Sequence, residues 1–171
     1  MIKEETIKAY YKQFQEINRC KFTEEGNELF IKKLVAETEQ IDNMHVKTKI
    51  NDLAIESDAA RKMGGSGNHP SPMQLLLASI ASCMEQTALV VFTFNGLNIT
   101  SLKVKIEATY DKRVPLGVKP GFYDYKITWT VGTNEKESKV KRVLKKVESV
   151  CPVRGSLVNP KEFTKEVIIV E

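Results

Sequence analysis

The sequence is poor in the residues from which metal centres and disulfide frameworks are built. It has three cysteines, at positions 20, 83 and 151, two histidines and no Cys-x-x-Cys. An odd, widely spaced set of cysteines is not a structural disulfide framework. In a reducing compartment these side chains start as thiols. Two histidines without a cysteine pair argue against a metal centre, and nothing in the chain calls for a cofactor. Charge of one sign is also lacking. The formal net charge is only +4, with Lys and Glu interspersed, which favours solubility without declaring a nucleic-acid partner. No short apolar core followed by a cleavage site opens the sequence, so a cytoplasmic location is the expectation. Internal repeats and low-complexity segments are missing as well. The 171 residues suffice for one domain with a substantial core.

Long apolar runs are scarce too, with one exception that organises the chain. Gly64 to Gly96 passes from a glycine-rich loop into Ser71-Pro72-Met73-Gln74 and then an apolar stretch. Ser71 is a capable N-cap, Pro72 suits the first helical position, and Gln74 stands where a capping box needs it. A helix is expected from Pro72 to about Thr93, stopped by Asn95-Gly96. Between Met73 and Phe94 the only formal charge is Glu85. A helix this apolar is buried nearly all round or crosses a membrane. Glu85, Gln74, Gln86 and several hydroxyl residues favour a protein interior. Cys83 lies mid-helix, where the simplest role is that of a small core residue.

Elsewhere the chain alternates between two periodicities. Ile7, Tyr10, Tyr11, Phe14 and Ile17 recur at helical spacing, predicting an amphipathic helix over residues 4–18 that needs another surface to cover it. Cys20 follows it and reads as incidental. Residues 28–57 read as strands, with turns at Asp42-Asn43 and Asn51-Asp52. There His45 reads as a wet-face neighbour of Lys47 and Lys49, and His69 belongs to a loop that is polar in any case. Leu102 to Tyr110 and Tyr123 to Val131 alternate strictly and predict an antiparallel pair. Its aromatic members serve as core or line a pocket, with core the commoner use. Residues 135–150 return to helical period, with Val140, Val143, Leu144 and Val147 as one apolar stripe opposite a lysine-rich, solvated face. Extending that stripe brings Cys151 inward. Pro152 breaks the helix there, and residues 151–157 read as a short turn. Residues 163–170 read as a terminal strand. Antiparallel strands around one very apolar helix make an α+β domain. A second subunit is the natural cover for that helix, so a homodimer is expected.

Cys83 and Cys151 both fall on inward-facing elements, so any contact between them is tertiary. Two such thiols support peroxide chemistry: one becomes a sulfenic acid and the other condenses with it, releasing water. The residues that carry a resemblance are Pro70 to Cys83, PSPMQLLLASIASC, and then Cys151-Pro152-Val153. Together they closely resemble the OsmC/Ohr family, over about residues 28–171. The resemblance implies an intertwined α+β homodimer with sites at the subunit interface, to which residues 1–27 look like an added N-terminal amphipathic helical extension. It implies reduction of organic hydroperoxides, with Cys83 peroxidatic, Cys151 resolving, and a dithiol or lipoylated protein as reductant. Neither a nucleic acid nor a membrane is implied as partner. Met73 stands where the family's peroxidases have a Glu that holds a catalytic Arg. No Arg occurs between Cys20 and Ala60, which leaves Arg19 and Arg154 as the nearest candidates. These departures place the chain with the family's divergent branch. They also motivate an alternative, a non-catalytic dimeric binding protein for a small hydrophobic or thiol-reactive molecule.

Overall fold

The computed structural model describes residues 2–159 and 163–169. The chain forms two compact units, Met1–Ala78 and Ser79–Glu171. In the first, α1 (Glu4–Cys20) and α2 (Glu24–Phe30) precede three strands, β1 (Glu37–Asp42), β2 (His45–Ile50) and β3 (Leu53–Ser57). The helix expected at the N-terminus is present. Tyr11, Phe14 and Ile17 on its apolar side remain substantially exposed, while Cys20 at its end is buried. Thr23 builds the break after it. Its hydroxyl donates to the Cys20 carbonyl at 2.6 Å and accepts from the Gly26 N–H at 3.2 Å, capping α2. Gly26 is required there, since a Cβ would meet the Lys21 carbonyl oxygen at 2.6 Å.

This corrects the reading of residues 28–36 as strand. Leu29 and Phe30 are the last turn of α2, and residues 31–36 carry no regular element. Capping at Thr23 outweighs the strand tendency of a short apolar cluster. The strands beyond follow expectation. β1, β2 and β3 form an antiparallel meander. Its two tight turns hold Asn43 and Asn51 at φ 49° and 54°, a conformation asparagine tolerates.

α3 spans Pro72–Phe94 and starts as expected. The capping box is closed: the Ser71 N–H donates to Gln74 Oε1 at 2.8 Å, and the Gln74 N–H donates to Ser71 Oγ at 3.4 Å. At the other end the Leu97 N–H reaches the Phe92 carbonyl and Gly96 adopts φ 62°, a Schellman stop. By length and hydropathy α3 qualifies as a membrane span. It nevertheless buries a regular stripe, Ile80, Met84, Ala88 and Phe92, one residue every four. Burial all round, the sequence expectation, is not reached within one chain: Ser79, Ser82 and Gln86 are exposed.

In the second unit β4 (Ser101–Tyr110) and β5 (Phe122–Gly132) form the expected antiparallel pair, with Val104 opposite Trp129 and Ile106 opposite Ile127. α4 (Glu137–Val150) buries Val140, Val143 and Val147. These join Ala88, Phe92 and Leu97 in one core, against which Leu102, Trp129 and Val131 pack. Residues 151–157 are not a turn. Pro152 opens a further helix, α5 (Pro152–Val158), because proline's fixed φ suits a first helical position as well as it ends the preceding helix. No strand forms over residues 163–169, where Phe163 and Ile169 are almost fully exposed. Val170, the end of that expected strand, lies outside the described residues. Apolar composition does not make a strand without backbone pairing, and residues 163–169 pair with none of the strands in either sheet.

Candidate functional site

Cys83 enters the second unit on α3, one residue before the buried Met84. Cys151 occupies the junction of α4 and α5, ending one helix and capping the next at φ −68° and ψ 115°. Its N–H donates to the Val147 carbonyl at 3.1 Å, and its carbonyl accepts from the Gly155 N–H at 2.9 Å. The break imposed by Pro152 therefore fixes the backbone of Cys151 on both sides. The stripe that buries Val140, Val143 and Val147 carries it inward. The two sulfurs lie 3.4 Å apart, with the Cys151 thiol placed to donate to Cys83 Sγ. Both cysteines are free thiols.

The environments of the two differ. Cys151 is 2% exposed, whereas Cys83 is half-buried. Cys151 is buried although it stands at a helix break, at the junction of α4 and α5. Burial pushes the Cys151 thiol above its ordinary pKa, and the neighbouring Cys83 sulfur adds to the shift. The N–H groups of Arg154 and Val153 pull the other way. Cys151 is thus held as the neutral thiol at neutral pH.

Both arginine candidates have guanidinium partners of their own. Arg19 pairs with Glu25 at 2.8 Å. Arg154 Nη1 donates to the Glu148 carbonyl at 3.1 Å, so its contribution at Cys151 is made by its main chain. Cys20 is buried beside Gly26, and burial raises its pKa as well. It is a packing residue rather than a reactive one.

The aromatic strand divides between two uses. Tyr123 and Tyr125 are exposed. Trp129 turns inward and, with Val131 on β5 and Val140 and Leu144 on α4, lines an open groove of about 320 Å³. Its indole Nε1 is buried without a hydrogen-bond partner among the described residues.

A second constellation escaped the sequence reading. His45, Glu56 and His69 converge in the first unit, with one ligand atom from each lying within 4.8 Å of the others. Strand alternation places His45 on the face of Lys47, but Glu56 joins it only through the β2–β3 register, and His69 only through the course of a loop.

A family model described as OsmC-like protein matches residues 65–166. No curated protein matches the sequence. Among solved structures, the chain is similar to an OsmC-like protein from Mycoplasma pneumoniae, with TM-score 0.67 and 19% identity over 74% of this chain and 88% of that one. It is similar to a Legionella pneumophila protein described as an organic hydroperoxide resistance protein OsmC, with TM-score 0.55, 20% identity and coverage of 74% and 90%. It is also similar to a Vibrio cholerae O1 putative organic hydroperoxide resistance protein with captopril bound in one of its active sites, with TM-score 0.53, 19% identity and coverage of 74% and 85%. At these identities the likeness is one of fold.

Proposed function

The chain belongs to the OsmC-like protein family as a divergent member, and we propose that it is a cytoplasmic, thiol-dependent reductase of organic hydroperoxides acting through Cys83 and Cys151. The observation that carries this reading is the 3.4 Å separation of the two sulfurs. The Cys83 thiolate attacks the terminal oxygen of the hydroperoxide. The O–O bond breaks, an S–O bond forms, and the alcohol leaves once its oxygen takes a proton. Cys83 is then a sulfenic acid. Cys151 Sγ displaces the hydroxyl, giving water and a Cys83–Cys151 disulfide. An external dithiol reduces that disulfide and is itself oxidised to a disulfide.

The assignment of roles rests on exposure. The half-buried Cys83 is the thiol a hydroperoxide reaches. The enclosed Cys151, held neutral by its burial, is a reserve that reacts only with a group formed beside it. The protein is proposed to act as a homodimer. Supporting this are the faces of α3 that one chain leaves uncovered and the exposed apolar side chains Leu34, Leu53 and Leu116.

A second reading is a binding protein for a small hydrophobic or thiol-reactive molecule. The groove beside Trp129, whose Nε1 has no partner among the described residues, favours it, as does the engagement of the Arg154 guanidinium by the Glu148 carbonyl. The two readings part in one experiment. Reduced protein is mixed with cumene hydroperoxide or hydrogen peroxide, and peroxide consumption is followed with a dithiol present. Fast turnover favouring the organic peroxide, abolished in a folded Cys83→Ser variant, supports the reductase. Unchanged turnover in that variant removes Cys83 from the role. Slow, unselective oxidation, with quenching of the chain's single tryptophan by apolar ligands, favours the binding protein.

A further inference from the structure

We propose that His45, Glu56 and His69 form a binding site for one divalent first-row transition cation of the zinc class. His45 opens β2 and Glu56 lies near the end of β3. In the antiparallel register Lys47 faces Glu56. Glu56 is therefore the diagonal neighbour of His45 on one face of the sheet. His69 comes from the loop ahead of α3 and stacks its ring on that of His45, with centroids 4.5 Å apart and planes 18° from parallel.

Both rings turn Nε2 toward the same carboxylate oxygen. Glu56 Oε2 is 3.0 Å from His45 Nε2 and 3.5 Å from His69 Nε2. Ligands about 2.1 Å from a shared ion are separated by roughly 3.0 Å at right angles and roughly 3.4 Å at the tetrahedral angle. The two Nε2–Oε2 separations, 3.0 and 3.5 Å, lie close to that range, and the stacked rings must tilt apart for both in-plane lone pairs to meet one ion. Two imidazole nitrogens and one carboxylate oxygen suit zinc, cobalt and nickel far better than magnesium or calcium, which prefer all-oxygen shells. The three side chains retain about a quarter to a third of their exposure, at 23%, 35% and 33%. An ion therefore has a path in, and water has room to complete its shell.

The loop that delivers His69 is tied down independently of any ion. Buried Asp58 accepts from the Ser66 N–H at 2.6 Å, the Ser66 hydroxyl at 2.5 Å and the Ala59 N–H at 2.7 Å. The Asp58 N–H donates to the Pro70 carbonyl at 3.2 Å, and the Arg61 Nε–H donates to the Ser66 carbonyl at 2.8 Å. Asn43 Nδ2 donates to the Gly64 carbonyl. A ligand held in place before the ion arrives loses little freedom on binding it. The chain's only two histidines are thus brought face to face over one carboxylate.

The test begins with the wild-type protein. Metal-free protein is titrated with zinc by calorimetry, and the retained metal is counted after gel filtration. Diethyl pyrocarbonate then modifies the histidines, with sites read by mass spectrometry. The expected result is one zinc per chain, with His45 and His69 both protected by the metal. His45→Ala, His69→Ala and Glu56→Gln each weaken binding about tenfold or more, whereas Cys83→Ser combined with Cys151→Ser leaves it unchanged. Cobalt substitution gives visible bands without thiolate charge transfer. Zinc that fails to bind or to protect the two rings overturns the proposal in the wild-type protein, whatever the variants do. Undiminished binding in folded His45→Ala and His69→Ala also overturns it.

Discussion

Oxidation of the sulfur pair is the perturbation whose effect is easiest to work out in advance. A disulfide bond measures about 2.05 Å, so two sulfurs now 3.4 Å apart must close by about 1.4 Å. Side-chain rotation at the half-buried Cys83 supplies that much, and the backbone of Cys151, fixed on both sides by hydrogen bonds, can stay in place. The bond would join residues 68 apart in sequence. In the chain-entropy treatment, closing a loop of that length removes about 4.4 kcal/mol of unfolded-state freedom at 25 °C. For a protein of this size each kcal/mol moves the melting temperature by roughly 2–4 °C. Oxidised protein is therefore expected to melt roughly 9–18 °C above reduced protein. The assay is circular-dichroism melting of both forms at several protein concentrations. Peptide mapping would identify the linkage as Cys83–Cys151. Either serine variant should abolish the difference. Identical melting temperatures despite a mapped Cys83–Cys151 bond would refute the entropic reasoning. A product carrying a sulfinic acid at Cys83 and a free Cys151 would refute the geometry.

Two other expectations concern the elements that build the site. Ser71→Ala opens the capping box at the start of α3 and should lower unfolding stability by about 1 kcal/mol, seen as a lower urea midpoint with an unchanged slope. The raised pKa of Cys151, caused first by burial, has a signed consequence for the reduced protein. A group whose folded pKa exceeds its unfolded value contributes stability that is whole below the unfolded pKa, about 8.5 for a thiol. That stability is lost as pH rises through the folded value. Reduced protein should accordingly lose stability above about pH 8.5, and Cys151→Ser should make that limb shallower, leaving the part that the likewise raised Cys20 contributes. An unchanged slope in the variant would show that Cys151 is not the titrating group.

Much of this molecule was legible without coordinates, for local reasons. Ser71, Pro72 and Gln74 specify a helix start among themselves, and Asn95-Gly96 specifies its stop, because capping is settled within a few residues of chain. The β4–β5 pair declares itself by strict alternation, and α4 by its valine stripe. That same stripe, extended by one turn, carried Cys151 inward. The family resemblance rested on short motifs of the same kind. Where local signals competed, reading failed. Leu29-Phe30 resembled a strand until the cap at Thr23 claimed it for a helix, and Pro152 ended one helix while starting another. The apolar residues 163–169 have the composition of a strand, yet they pair with neither sheet. Tertiary structure alone decided what depends on distance. Periodicity could turn both cysteines inward, but only packing of α3 against the junction of α4 and α5 could set their sulfurs 3.4 Å apart. The sequence could put His45 on a wet face, but only the β2–β3 register and the latch around Asp58 could bring Glu56 and His69 to it. A side chain's direction follows from the turns of chain around it, whereas its neighbours follow from where remote segments come to rest.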